Sequence, residues 1–233
     1  MSKDPAIDIH DSIASACPWN ALSAEQLSSL IEQSKLQTIK KNGLIYAEGE
    51  DPTTLVYILS GQVKIFKKGL EGRNQIVRIV KPGEMLGYRA MFAEERYVTS
   101  ASAFEPCTIL RVPRQVILNL IKNNNDLAFA FIRYLSIDLG IADARSVVLT
   151  QNHIRGRLAE SLLHIYEYNG VDAQTGNLAI NLSREDLASL SNMTTSNAIR
   201  TLSSFADDGL IKVSGRKIQL LDFERLRHIA KFE

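Results

Sequence analysis

Cysteine, histidine and long apolar runs are scarce in this chain of 233 residues. Its two cysteines, Cys17 and Cys107, are too few for a disulfide scaffold, and the simplest setting for them is a cytoplasmic one with reduced thiols. No histidine falls between Asp11 and Asn152, which removes the clustered imidazoles that a metal-dependent barrel enzyme needs. No Ser/His/Asp set, phosphate loop or paired metal ligands stands out, so an enzyme is not expected. No stretch of apolar residues is long enough to cross a membrane as a helix. The opening MSKDPAIDIHDS alternates charge without an apolar h-region, so a secretory signal is not expected either. Charge of one sign is also missing: 27 basic against 26 acidic residues leave a formal +1, from which no nucleic-acid, membrane or acidic partner can be read.

What the chain does have is an ordinary folded composition, 45% hydrophobic and 23% charged, over a length comfortable for two domains. Ser23 and Gln26 in SAEQ form a capping-box pattern ahead of Leu27, Leu30 and Ile31. From about Leu36 to Pro113 short β-rich runs (LQTI, LIYAEG, LVYIL, QVKIFKK, QIVRIV, VTSASA, CTILRV) alternate with turns at Gly43, Gly49, Asp51-Pro52, Gly61, Gly72, Pro82-Gly83 and Gly87. Such spacing predicts an antiparallel barrel or sandwich. Helical spacing resumes at Arg114–Lys122 and again at about Asp126–Leu149. Along the second segment Leu127, Phe131, Tyr134, Asp138, Ile141, Arg145 and Val148 recur at steps of four and three, a heptad seam of the kind that pairs a helix with a second copy of itself. Asp138 and Arg145 are awkward members of an apolar seam, and a helix simply packed on the barrel is the other reading of the pattern. Asn152 is placed to cap a following helix that ends at Asn169-Gly170.

The most informative stretch is LSREDLASLSNMTTSNAIRTLSSFADDGLI, Leu182–Ile211. Ser183 and Asp186 open a short helix, Asn192-Met193 suits a turn with a left-handed residue, and Thr194 caps a second helix whose inner face is expected to be Ala198, Ile199, Leu202 and Phe205. Two helices joined by so short a turn make a DNA-binding motif, with the second helix in the major groove. An αα-hairpin without any DNA role has the same outline. What favours DNA is the outward face of the second helix, Thr195, Ser196, Asn197 and Arg200, short polar groups plus one arginine, since Asn pairs with adenine and Arg with guanine at base edges. Lys212 to Leu220 reads as a β-hairpin that would carry Lys212, Arg216 and Lys217 to the phosphates as a wing.

Over nearly its whole length the chain resembles the family of the cyclic-AMP receptor protein and the fumarate–nitrate reduction regulator (Crp–Fnr). LIYAEGEDPTTLVYILSGQVKIF resembles the family's paired strands, PGEMLG its Pro-Gly-x-x-x-Gly signature at Pro82, Gly83 and Gly87, and Leu182–Ile211 its helix-turn-helix, with Arg200 at the recognition arginine. The resemblance implies an α+β chain: a β-roll sensor with N-terminal helices and a dimer helix over 1–149, and a winged helix-turn-helix over 150–233. It also implies a homodimer on a palindromic operator in double-stranded DNA, with RNA polymerase as a further partner, and Arg184 on a backbone phosphate. Effector contacts would fall at Gly87, Tyr88, Arg89, Tyr97, Val98 and Thr99. Cyclic-AMP-binding members carry a glutamate after the signature glycine and an arginine about ten residues on, and this chain has Tyr88 and Tyr97 there. Losing the arginine removes a charge-assisted contact of about a few kcal/mol, so cyclic AMP is not the expected effector. Arg89 and Arg96 are the nearest substitutes. An iron–sulfur cluster needs four thiolates and is excluded. Haem, which a thiolate or histidine can ligate, stays open, and the cofactor is otherwise unassigned. Where family members use a glutamate to read cytosine, this chain has Ser196, so its half-site should differ. A cyclic-nucleotide-type module acting through a protein partner is the alternative, although it leaves the recognition-helix surface unexplained.

Overall fold

The computed structural model describes residues 9–69 and 74–233. Gly72, expected to sit in a turn, lies outside the described residues. The chain divides into two compact units inside its longest helix: the first runs to Lys68 and resumes over Val77–Gly140, and the second holds Ile141–Glu233 with the described part of Gly69–Ile76. The division therefore falls after Gly140 rather than after Leu149. No helix of the described residues is long and apolar enough to cross a membrane.

The first unit begins with α1 (Ile9–Ala14) and α2 (Ala24–Glu32), the latter opened by the expected box, in which the Gln26 amide donates to Ser23 Oγ and the Ser23 amide donates to Gln26 Oε1. Among the described residues eight strands follow: β1 (Lys35–Ile39), β2 (Leu44–Tyr46), β3 (Thr54–Ser60), β4 (Val63–Lys68), β5 (Asn74–Val80), β6 (Met85–Leu86), β7 (Ser100–Ala103) and β8 (Cys107–Pro113). They form two four-stranded sheets, ordered β1-β8-β3-β6 and β2-β7-β4-β5, a β-roll. Strand β3 shows why it reads as an unbroken apolar run. Its alternate side chains serve two cores, Val56 and Ile58 facing the roll interior while Leu55, Tyr57 and Leu59 face a second cluster built with the helices. In that second cluster Trp19 stands edge-on to Tyr57 and Phe131, with ring centroids 6.4 and 5.8 Å away. The signature PGEMLG supplies β6 and then α3 (Tyr88–Ala93), followed by α4 (Arg114–Asn123) and the long α5 (Asn125–Gln151).

Helix α5 is where the expected seam needs correcting. Leu127 and Phe131 are 0% and 2% exposed and so cannot face a second copy, and the half-buried Tyr134 packs against the same cluster. The charged seam members are explained the same way: Asp138 takes hydrogen bonds from Arg78 and Tyr88 of the first unit, and Arg145 donates to the carbonyls of Ile76 and Leu190 in the second. Val148 is half-buried, and Ile141 is exposed. Within the pattern Leu127, Phe131 and Tyr134 thus pack onto their own chain, whereas Ile141 stays 55% exposed. On the opposite face Phe129 (70% exposed), Ile132, Leu139 (63%) and Val147 form a stripe at helical spacing, with Gly140 beside it.

The second unit contains α6 (Ile154–Asn169), α7 (Arg184–Leu190), α8 (Thr195–Asp207), the hairpin β9 (Ile211–Ser214) and β10 (Lys217–Leu220), and α9 (Phe223–Phe232). Gly170 closes α6 with φ +74°, as its Asn-Gly signal implies. Asn152 does not cap α6: the cap position is His153, and the Asn152 side-chain amide instead donates to Ala230 O of α9 at 2.7 Å. Sequence reading left α9 unassigned. Its Asp222 cap and its buried Leu226, Ile229 and Ala230 seat it on α6.

Candidate nucleic-acid interface

Helix α7 begins at the reciprocal box of Ser183 and Asp186, and Asn192 takes the left-handed conformation (φ 49°) that the tight turn requires. Thr194 Oγ1 accepts from the Asn197 amide and starts α8. The buried face of α8 is Ala198, Thr201, Leu202 and Phe205. Ile199 is not on it: placed inside by the sequence pattern, it is 47% exposed, because the true 3–4 spacing runs through Thr201. The exposed stripe is therefore Ser196, Ile199, Arg200 and Ser203, with Thr195 and Asn197 half-buried at its edges. Asn197 Oδ1 accepts a short hydrogen bond from Arg200, so in the free protein Asn197 braces the arginine rather than standing ready for a base.

Two arginines that sequence reading passed over hold this motif in place. On α6, Arg157 donates to the carbonyls of Ser191 and Asn192 at 3.1 Å each, fixing the turn. Its neighbour Arg155 donates to Ser204 Oγ at 2.6 Å and pairs with Asp208 at 3.2 Å, fixing the far end of α8. Their only sequence signal is the pair of arginines, two apart, in HIRGRLAE. The wing forms with Lys217 opposite Ser214 and a two-residue turn whose Gly215 has φ +59°, leaving Lys212, Arg216 and Lys217 exposed. Arg184, expected on a backbone phosphate, sits beside the wing in the free chain. Its Nη2 donates to Gly215 O at 2.9 Å while Nη1 is enclosed, so it ties the start of α7 to the wing turn.

In the sensor the six expected effector residues are scattered. Tyr97 lies inside the roll, stacked on Tyr46 with centroids 3.8 Å apart and rings 14° from parallel. Burial pushes the Tyr97 phenol up to about 12 and that of Tyr46 higher still, so both are neutral at any physiological pH. Gly87 (φ +89°) permits this packing, for a Cβ there would sit 3.1 Å from the Tyr97 hydroxyl and 3.2 Å from Thr54 O. Thr99 hydrogen-bonds to Tyr46, whereas Val98 is exposed and Arg89 pairs at the surface with Glu95 at 3.2 Å. Arg96, the other substitute for a phosphate anchor, pairs with Asp51 on the surface. Tyr88 belongs to the helix-side cluster, not the roll interior. Its hydroxyl donates a short bond to Asp138 Oδ2, which also receives Arg78 at 2.6 Å. Tyr134 stands edge-on to Tyr88 at 5.3 Å.

These polar groups link β5, α3 and α5 inside one unit, and removing the central carboxylate should be costly. Asp138→Ala leaves the half-buried Arg78 with only the longer Glu84 contact at 3.7 Å as its ion pair, and we expect a loss of about 2–3 kcal/mol, below the range for a fully enclosed pair because some solvent and Glu84 still reach it. Urea denaturation of this variant and of Tyr88→Phe tests the assignment. Tyr88→Phe, which keeps the Arg78–Asp138 pair, should lose about 1 kcal/mol. Equal losses would mean that the ion pair contributes nothing of its own.

A cyclic nucleotide-binding domain model matches residues 36–124, and a Crp-like helix-turn-helix domain model matches residues 156–229. The chain belongs to the Crp–Fnr family of transcription regulators. This is a family of regulators, not of enzymes, and the α7–α8 motif is its helix-turn-helix DNA-binding element. The regulator is similar to the CRP-like cAMP-activated global transcriptional regulator of Mycobacterium tuberculosis, 24% identical over 221 residues that cover 94% of this chain and 98% of that one. Among solved structures, FixK2 from Bradyrhizobium japonicum superposes with a TM-score of 0.76 at 22% identity, covering 84% of this chain and 96% of that one. A CRP/FNR family transcriptional regulator from Thermus thermophilus superposes with a TM-score of 0.70 at 26% identity, covering 84% and 98%.

Proposed function

We propose that this Crp–Fnr regulator binds a palindromic operator as a homodimer, with α8 of each copy in the major groove, and that its sensor does not use cyclic AMP. The observation that carries the DNA reading is the outward stripe of α8, where Arg200 stands with Ser196, Ile199 and Ser203 and with no lysine or glutamate on the stripe. The apolar stripe Phe129, Ile132, Leu139 and Val147 supports pairing through α5, since it is the face the chain itself leaves uncovered. A dimer sets two recognition helices about one helical turn apart, roughly 34–36 Å, which is the spacing a two-fold operator presents. RNA polymerase as a partner follows from the family, and the cytoplasm is where both partners are found. Selection of bound sequences from a random DNA pool tests the reading. A two-fold consensus with guanine in each half-site is the expected result, and recovery of no consensus would overturn it.

The sensor residues support an effector other than cyclic AMP, although the M. tuberculosis relative is described as cAMP-activated. Tyr88 stands where a ribose-binding glutamate would be, and its hydroxyl is already engaged with Asp138. The Tyr46–Tyr97 stack is buried inside the roll, and Arg89 and Arg96 are instead engaged in surface ion pairs. These residues do not fit the nucleotide. Titration calorimetry with cyclic AMP should show no heat of binding at micromolar concentrations, and a micromolar Kd would overturn this part of the proposal.

A further inference from the structure

We infer that Ile199 is a specificity-determining side chain that reads the C5-methyl group of a thymine in each half-site. The inference deepens the DNA-binding reading of α8 and rests on it. Ile199 is the one large apolar side chain on the stripe that faces away from the domain, 47% exposed where Ala198, Leu202 and Phe205 beside it are 0–2%. Its companions on the stripe are Ser196, Arg200 and Ser203. The two serines are short, so the isoleucine methyl groups stand out beyond them, and Arg200 is held to Asn197 on its other side.

The fold gives no other use for this residue. It contributes nothing to the buried face of α8, and a β-branched side chain on an exposed helix position is a poorer helix former than the alanine, lysine or glutamate that would serve there. A single exposed apolar residue is ordinary on a protein surface. Here it sits in the middle of the surface that enters the groove, one residue before the arginine that reads guanine. In the major groove the thymine methyl is the apolar feature that separates an A·T pair from the others, and an aliphatic side chain is its natural complement. The chemistry is contact between two hydrocarbon groups shielded from water, with no hydrogen bond. It would therefore respond to the methyl group and not to the pairing edge of the base.

That property defines the test. On the consensus operator, each thymine of the half-site is replaced singly by deoxyuridine, which removes the methyl and leaves every hydrogen-bonding group. Wild-type protein should lose about three- to tenfold in affinity at one thymine position per half-site, the size expected for one buried methyl contact. Ile199→Ala should show a similar loss on the natural operator and no further loss on the deoxyuridine operator, while Ile199→Val keeps part of the discrimination. Because the position is exposed, both variants should melt with the wild type. Wild-type indifference to deoxyuridine at every position would overturn the inference while leaving the DNA-binding reading intact. So would an Ile199→Ala protein that stays as methyl-sensitive as the wild type. Failure of the wild type to select any operator would overturn both.

Discussion

Arg200→Ala should weaken operator binding by about 1–3 kcal/mol per half-site, so by about 2–6 kcal/mol on a two-fold operator, and should relax the preference at one base pair of each half-site. The guanidinium lies on the exposed stripe of α8 one turn after Ser196, and its bond to Asn197 holds it clear of the helix. A planar donor fork so placed can meet guanine O6 and N7 together. The comparison that makes this specific is Arg184→Ala. Arg184 is tied to the wing turn, so its loss should loosen the hairpin that carries Lys212, Arg216 and Lys217. Binding should then fall alike on every operator, with the salt dependence flattened because phosphate contacts from the wing are lost. Both variants are measured on single-base-substituted operators at several salt concentrations. Equal weakening of all operators by Arg200→Ala would remove it as a base reader.

Leu139→Glu should turn the proposed dimer into a monomer and take operator binding with it. The side chain is 63% exposed within its own chain and lies on the uncovered stripe of α5, beside Gly140, where a second helix can approach closely. Placing a carboxylate from each copy into an apolar seam costs on the order of several kcal/mol, enough to move association beyond working concentrations. Because nothing in its own unit covers this side chain, the isolated chain should unfold at the same urea concentration as wild type extrapolated to low concentration. Sedimentation at micromolar protein gives the decision. A dimer that persists in Leu139→Glu would mean that copies do not pair through this stripe.

Much of the fold was legible because it is written in local chemistry. The boxes at Ser23–Gln26 and Ser183–Asp186, the Thr194 cap, the left-handed Asn192 and the Gly170 stop are each decided within a few residues, and each is where the sequence puts it. Short strands with glycine and proline turns between them indicate an antiparallel barrel or sandwich in the same way, while the β-roll was implied by the family resemblance. Arg200 could be placed on the outward face because caps and period fix the helix around it. The misplacements share one physical cause. Periodicity says that a helix has an apolar stripe but not what covers it, so the Leu127–Phe131–Tyr134 stripe read as a partner seam although it packs on its own unit. Ile199 was read as inner because apolar residues usually are, whereas the rotation of α8 is set by Thr201, Leu202 and Phe205 against the rest of the domain. Tyr88 and Tyr97, close in the chain and paired in the sequence reading, point into different cores because α3 turns the chain between them. Sequence by itself determined the order of the elements as far as the wing hairpin and those ends that caps and glycines mark, since those depend on neighbours in the chain. Which face of α5 is left open, which side chains meet at Asp138 and which residue of α8 stands out toward a partner were decided only by tertiary structure, because burial is a property of elements brought together from far apart.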